Sequence, residues 1–300
     1  MAGPEVRRGR EPRGVGRSAA HSGEREPAHF VELPAGRFRY RAWGDGRGGR
    51  PVMLLHGNAG SGATWARVGQ VLATEARVIA PDLRGHGASV RPEPGGYALR
   101  AVADDVEELL RALGLHEPLL VGHSWGAAVA LVLASGAEAI LPTPSVSGLV
   151  LVDPPAGMMG HEIELRRLQR SLTLPREVLR RSLHSQHPGW DPRDVESMIE
   201  GFAQADPLVV RSLVEDGSTP QRLLPLLAEI TVPVLLLRAD PRHGGMLREP
   251  EWTAERTVVP PNCRVEEFPG AAHMLHFSHF DAFVGLLQDF AAELAEKPTP

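Results

Sequence analysis

Residues 119–128 read LLVGHSWGAA, an apolar run that is interrupted by the pattern G-x-S-x-G and then continues in small residues. The run before Gly122 has the length and composition of a short buried strand, and the run after Ser124 is typical of a buried helix. A serine at a tight turn from strand to helix presents its hydroxyl above a sheet, and flanking glycines leave room in that crowded turn. We therefore predict that Ser124 is a nucleophile.

Short apolar runs of the kind that form buried parallel strands recur on both sides of this turn, and helix-like segments separate them. This alternation predicts an α/β fold, a mostly parallel sheet of about eight strands with helices on both faces. Ligands of such sheets bind beyond the carboxyl ends of the strands. The predicted strands are residues 29–33, 37–43, 51–55, 77–80, 119–121, 149–152, 232–237 and 265–268, and the clearest helices are residues 64–74, 99–113, 125–135 and 280–294.

The chain divides into a tail, a core and an insertion. Residues 154–227 contain several short helical patterns and no strand-like run, so we interpret them as a helical insertion. The core would then consist of residues 29–153 and 228–300. Residues 1–28 are rich in Arg, Gly, Pro and Glu, which predicts a disordered N-terminal tail.

Composition excludes several classes of protein. The net charge of −5 argues against nucleic acid as the main partner. Cys263 is the single cysteine, so an intramolecular disulfide is impossible and a reducing, cytoplasmic setting is expected. No run approaches the ~18 apolar residues of a membrane helix, and the histidines lack the spacing of a metal site.

A serine nucleophile needs a neighbouring base, and the base needs an orienting acid. The histidine must follow the last strand, and the loop PGAAH, residues 269–273, does so with small residues that let its imidazole reach the serine. His276 and His279 are rivals, but we expect them at the start of the following helix, pointing elsewhere. We therefore predict that His273 is the base.

Two aspartates end predicted strands and are candidates for the acid. Asp240 follows the run VLLLRA, and Asp153 follows the run LVLV one strand earlier. Either carboxylate would emerge at the sheet edge where it could accept the Nδ1–H of the imidazole. We favour Asp240 and keep Asp153 as the alternative; the other aspartate would cap a turn.

Acyl transfer also requires two backbone N–H groups that bind the oxyanion. The residue after the nucleophile, Trp125, is predicted to supply one of them. The glycine-rich loop at residues 54–62, LLHGNAGSG, is predicted to supply the other from Asn58. His56 in the same loop is expected to brace it.

From about residue 30 to residue 294 the chain resembles the α/β-hydrolase family. The resemblance implies a helical cap after the sixth strand, which matches residues 154–227, and it implies no cofactor. The stretches that carry it are HGN at 56–58, DLRGHGAS at 82–89, GHSWG at 122–126 and GAAH at 270–273. The second of these looks like a structural turn of the family, without a chemical role.

Two departures from the family's patterns are informative. Epoxide hydrolases and haloalkane dehalogenases of this family have an aspartate nucleophile, whereas this chain has Ser124, which suits an acyl intermediate and argues against both activities. Many members place the acid two residues beyond Asp240, which keeps Asp153 open as the alternative acid.

We expect a cytoplasmic serine hydrolase of a small, largely apolar carboxylic ester, lactone or thioester, with a small molecule as its partner and no nucleic acid or membrane. The alternatives are C–C bond or amide hydrolysis by the same residues, and a binding protein without catalysis.

Overall fold

The structure is a computed structural model, and its centre is a twisted sheet of eight strands that a two-residue strand extends at one edge. It describes residues 7–8, 28–46, 48–137, 145–157, 162–215 and 222–296. The strands are β1 (Arg7–Arg8), β2 (His29–Leu33), β3 (Gly36–Trp43), β4 (Val52–Leu55), β5 (Val78–Pro81), β6 (Leu119–His123), β7 (Gly148–Val152), β8 (Val234–Ala239) and β9 (Cys263–Phe268).

The strands follow the spatial order β1-β9-β8-β7-β6-β4-β5-β3-β2. The pairs β2–β3 and β3–β5 are antiparallel, and the other pairs are parallel. Every residue of β4, β6, β7 and β8 is buried, as expected for parallel strands that are covered on both faces. The predicted α/β class with a mostly parallel sheet is therefore confirmed.

Helices cover both faces of the sheet. The helices are α1 (Ala66–Leu72), α2 (Leu99–Ala112), α3 (Trp125–Ser135), α4 (Glu162–Ser171), α5 (Arg176–Gln186), α6 (Pro192–Gln204), α7 (Pro207–Glu215), α8 (Glu251–Glu255), α9 (Leu275–Ser278) and α10 (Phe280–Glu296). One apolar core lies between the sheet and helices α2 and α3, and the other lies between the sheet and helices α1 and α10. Short 3-10 helices occupy Gly62–Trp65, Leu224–Glu229, Pro241–His243 and Arg256–Val258.

Helices α4 to α7 lie within residues 154–227, the predicted insertion that we call the inserted segment, and no described residue of it forms a strand. Helices α5 and α6 form a third apolar cluster, which also includes Ala59 and Phe277 of the core. Through this cluster the inserted helices pack against the core at the carboxyl ends of the strands. A ligand of such a sheet would bind at this edge.

The N-terminal edge differs from the sequence expectation. Arg7–Arg8, inside the predicted disordered tail, pairs in parallel with β9, with Arg7 opposite Glu266. Main-chain pairing on an open sheet edge needs no apolar side chains, so composition gives no sign of it. The rest of residues 1–27 lies outside the described residues.

Candidate active site

Ser124 occupies the sharp turn between β6 and α3. Its φ of 53° and ψ of −118° are a strained combination for a residue with a side chain, and its N–H donates to the carbonyl of Val152 at 2.9 Å. A Cβ at Gly122 would lie 2.3 Å from the carbonyl oxygen of Gly126, and a Cβ at Gly126 would lie 2.4 Å from that of Leu55. Only glycine fits at either position, and this close packing holds the serine in its strained turn.

Asp153, the residue directly after β7, contacts the predicted base. Its Oδ2 lies 2.7 Å from Nδ1 of His273 and also accepts the backbone N–H of Met246 at 2.9 Å. Its Oδ1 accepts the backbone N–H of Ala239 at 3.1 Å. The side chain is fully buried, and these three hydrogen bonds offset the cost of burying a carboxylate. Asp153 is therefore placed to orient the imidazole.

Asp240, which the sequence favours as the acid, lies elsewhere. Both of its oxygens bind the guanidinium of Arg242, at 3.0 and 2.7 Å, and Oδ2 also accepts the N–H of Gly270 at 3.0 Å. The hydrogen bonds from Arg242 hold the pKa of Asp240 well below its usual value. The expectation that Asp240 orients His273 is thus corrected, since its carboxylate caps the helix Pro241–His243 and braces the loop that carries the histidine.

His273 is held through its backbone as well as its ring. The Nε2–H of His123 donates to the carbonyl of His273 at 3.1 Å, and the centroids of the two rings are 4.5 Å apart. Nδ1 of His273 faces the carboxylate, which places the proton on Nδ1 and leaves Nε2 to accept one. A Cβ at Gly57 would lie 2.8 Å from Nδ1 of His123 and 3.2 Å from Cβ of Ser124, so the His-Gly pair at 56–57 must pass close to the serine.

The loop of residues 57–62 is the candidate oxyanion loop. In the described part of the chain, no hydrogen bond uses the backbone N–H of Asn58 or Trp125, so both remain available to a ligand. The side-chain amide of Asn58 is shielded from solvent and has no partner among the described residues. Ala59 adopts a φ of 58°, rare for a residue with a Cβ, which gives the loop a sharp bend.

Two buried histidines brace this loop. Nε2 of His86 accepts the N–H of Ala59 at 3.0 Å, and Nε2 of His56 accepts the N–H of Leu83 at 3.0 Å. Nδ1 of each ring lies within 2.9 Å of a backbone carbonyl, so both rings are neutral with the proton on Nδ1. Burial lowers the pKa of His56 to about 4 and that of His86 to about 3. His56 braces the loop as expected, whereas no role was predicted for His86 from the sequence.

His276 packs behind the site rather than in it. Its ring stacks on Trp65 with centroids 4.4 Å apart and lies 4.8 Å from the ring of His123. Neither ring nitrogen has a hydrogen-bond partner among the described residues, and burial lowers its pKa to about 3. Nδ1 of His279, the other alternative to His273 as the base, lies 3.0 Å from the hydroxyl oxygen of Ser278.

The buried histidines predict acid instability. Burial lowers the pKa of His56, His86, His123 and His276 below the 6.5 of an exposed histidine. The unfolded chain therefore binds more protons below that pH, and the free energy of unfolding falls as the pH drops below about 6.5, by up to ~1.4 kcal/mol per histidine per pH unit. Urea denaturation at a series of pH values between 7.5 and 4.5 measures this slope.

The variant His276→Phe isolates one of these histidines, because phenylalanine keeps a flat ring on Trp65 and cannot take up a proton. We expect the pH slope to fall by up to about one proton and the stability at pH 5 to exceed that of the parent. An unchanged slope in the variant would show that His276 does not titrate on unfolding.

The described residues contain no group of three or more His, Cys, Asp or Glu side chains that could hold a metal ion. None of the described helices is both long enough and apolar enough to cross a membrane. The structure pairs His273 with Asp153, and His123 links the backbone of His273 to the place where Gly57 passes the turn of Ser124. Side chains of these types at one edge of a sheet are those that acyl transfer uses.

Comparison with known proteins gives the family. The model of the alpha/beta hydrolase family matches residues 52–286. N-formylmaleamate deformylase of Pseudomonas putida is 27% identical over 252 residues, which are 81% of this chain and 88% of that protein. The solved enol-lactonase of Burkholderia xenovorans LB400 is 21% identical with a TM-score of 0.70, covering 88% of this chain and all of that one.

Other relatives match over a shorter stretch. A soluble epoxide hydrolase of a Corynebacterium strain is 44% identical over 86 residues, which are 29% of this chain and 30% of that protein. The chain thus spans less than a third of the length of this relative, so the likeness concerns a segment and not the whole protein.

Proposed function

The chain belongs to the alpha/beta hydrolase family, and from this premise we propose that it is a serine hydrolase of small, largely apolar carboxylic esters, lactones or thioesters. The contact of 2.7 Å between Oδ2 of Asp153 and Nδ1 of His273 is the observation that carries the proposal. It supports an imidazole whose Nε2 accepts a proton, at the same sheet edge as the strained Ser124.

In the proposed reaction, Oγ of Ser124 attacks the carbonyl carbon of the substrate, and Nε2 of His273 takes the hydroxyl proton. The carboxylate of Asp153 stabilises the imidazolium that forms. The carbonyl oxygen becomes an oxyanion, to which the N–H groups of Asn58 and Trp125 donate. Collapse expels the leaving group, which receives the proton from His273 and leaves an acyl-serine. Water, activated by the same histidine, then hydrolyses the acyl-serine and frees the acid.

The apolar character of the substrate rests on the residues next to the candidate loop. Ala59 belongs to the apolar cluster formed by α5 and α6, together with Phe277 from the segment that follows His273. Aliphatic and aromatic side chains favour an acyl group of similar character. Amide hydrolysis is the second candidate, because the deformylase similarity extends over 81% of the chain.

A panel of p-nitrophenyl esters of increasing acyl length, γ-lactones, an acyl thioester and an N-formyl amide tests the proposal. We expect turnover of esters or thioesters with kcat/KM above about 10⁴ M⁻¹s⁻¹ for the preferred acyl group. Hydrolysis of the N-formyl amide alone would favour the second candidate. Binding of these compounds without any turnover would contradict both and leave a binding protein.

A further inference from the structure

Helix α6 of the inserted segment lies directly on the candidate oxyanion loop. A Cβ at Gly201 would lie 2.7 Å from the carbonyl oxygen of Ala59 and 3.1 Å from Cα of Gly60. Real Cβ atoms do not come this close to a backbone oxygen, so even one methyl group here would displace the helix or the loop. The absence of a side chain at Gly201 brings the two backbones together.

Ion pairs fix both ends of α6 to the core. At its N-terminal end, Asp194 pairs with Arg67 of α1, and both side chains are mostly buried. At its C-terminal end, Glu200 lies 3.6 Å from Arg39 and 3.5 Å from Arg41, two arginines of β3. Beyond Gly201, Oε1 of Gln204 accepts a hydrogen bond from Arg39 at 3.1 Å. The helix is therefore held on both sides of Gly201, and it cannot tilt away from the loop without breaking one of these contacts.

The core holds the opposite side of the same loop. His86 accepts the N–H of Ala59, and Oδ1 of Asp82 accepts the N–H of Gly62 at 2.9 Å. Arg39 pairs with Asp82 as well as with α6, so one side chain joins both supports. The six-residue loop thus lies between α6 and the core, with the N–H of Asn58 next to the strained Ala59.

We propose that α6 is a positioning element for the oxyanion donors and that Gly201 is its positioning residue. The inference rests on the proposed function. A donor N–H must lie about 2.7–3.1 Å from the oxyanion, and displacement by about 1 Å can cost 10²-fold in rate. Helix α6 therefore affects the rate of the chemical step through the backbone of the loop, and residues away from the reacting atoms control kcat.

The variant Gly201→Ala tests this inference, because alanine favours a helix more than glycine does and leaves the ion pairs of α6 in place. We expect kcat for the preferred ester to fall about 10- to 100-fold with KM changed less than about threefold. The affinity of an alkyl boronic acid, which forms a tetrahedral adduct on the serine, should fall in parallel with kcat. The affinity of the product carboxylate, which lacks an oxyanion of that geometry, should not.

Two glycines serve as controls. A Cβ at Gly285 of α10 or at Gly189 of the inserted segment would meet no atom within 4 Å. We expect G285A and G189A to keep kcat, KM and boronic acid affinity within about twofold, since surface substitutions have small effects. A kcat of G201A equal to that of the controls, or a loss confined to KM, would overturn the inference.

A second variant tests the inference if G201A folds poorly, and a second measurement tests it if the parent protein shows no activity. The double variant R67Q/D194N replaces the buried ion pair with neutral side chains and is expected to lower kcat several-fold with a preserved fold. Hydrogen exchange of the peptide spanning residues 57–65 is independent of activity, and we expect faster uptake in both variants than in G285A. Failure of the parent to hydrolyse any acyl substrate would refute the proposed function, whereas unchanged exchange in this peptide would refute the positioning role by itself.

Discussion

Replacing Ser124 with alanine is expected to lower kcat for the preferred ester at least about 10⁴-fold, because no other group then forms the acyl intermediate. The substitution removes one oxygen atom and leaves the strained turn, its two glycines and the N–H bond to Val152 in place. Stopped-flow and steady-state turnover of p-nitrophenyl esters measure the loss. The thermal midpoint should change by no more than a few degrees.

Ser135→Ala is the matched control for this variant. Ser135 is the last residue of α3, the helix that Ser124 precedes, and within the described ranges its hydroxyl bonds only the backbone of its own turn. We expect its activity to stay within about twofold of the parent. Retention of more than about one tenth of the activity by the Ser124→Ala protein would show that the serine is not the nucleophile.

Replacing Asp153 with asparagine is expected to lower kcat about 10³- to 10⁴-fold. Asparagine can donate its amide N–H to Nδ1 of His273, which would place the imidazole proton on Nε2, the atom that must accept the serine proton. The buried oxygens that receive the N–H groups of Met246 and Ala239 would also lose their charge. Turnover of the same ester and the pH profile of kcat/KM measure the effect.

Asp240→Asn makes the same chemical change in the neighbouring loop. Asp240 binds Arg242, whose side chain is 79% exposed, so the loss of this ion pair has little effect on the stability of the protein. We expect kcat to fall less than about tenfold, because the substitution weakens the hydrogen bond from the N–H of Gly270 and leaves the tautomer of the imidazole unchanged. A larger loss in Asp240→Asn than in Asp153→Asn would reverse the assignment of the acid.

Local patterns were sufficient to predict most of the sheet and the sharp turn at Ser124. Helix α3 spans the predicted residues 125–135, and Gly122 and Gly126 meet neighbouring backbone as the crowded turn requires. Buried parallel strands are continuous apolar runs, which sequence shows directly. The helix predicted for residues 64–74 begins instead as the 3-10 helix Gly62–Trp65, capped by Ser61, a detail of backbone geometry that periodicity does not resolve.

The aspartate that contacts His273 was harder to predict, because Asp153 and Asp240 both follow adjacent strands of the sheet. Their difference lies in contacts between distant segments, since the residues that bind Asp153 are Ala239, Met246 and His273. One local signal was present in the sequence. Arg242 follows Asp240 by two residues, with proline between them, a pattern that favours an aspartate capping a short helix.

The supports of the site had no local signal. His123 and His86 are single histidines in glycine-rich stretches, and only the fold brings them against His273 and Ala59. The contact of Gly201 with the loop joins residues more than 100 positions apart in the chain. A glycine inside an amphipathic helix indicates close packing but does not identify the partner.

The central claim is that His273, which Asp153 orients, activates Ser124. Covalent labelling tests this claim without requiring the true substrate. A fluorophosphonate reacts with a serine only where a base activates it, and peptide mapping by mass spectrometry locates the adduct. We predict one adduct, on Ser124, with a labelling rate that falls at least about 10²-fold in Asp153→Asn and is nearly unchanged in Asp240→Asn. Absence of an adduct on Ser124 in the folded parent protein would contradict the account. Equal labelling rates of Asp153→Asn and Asp240→Asn would contradict it as well.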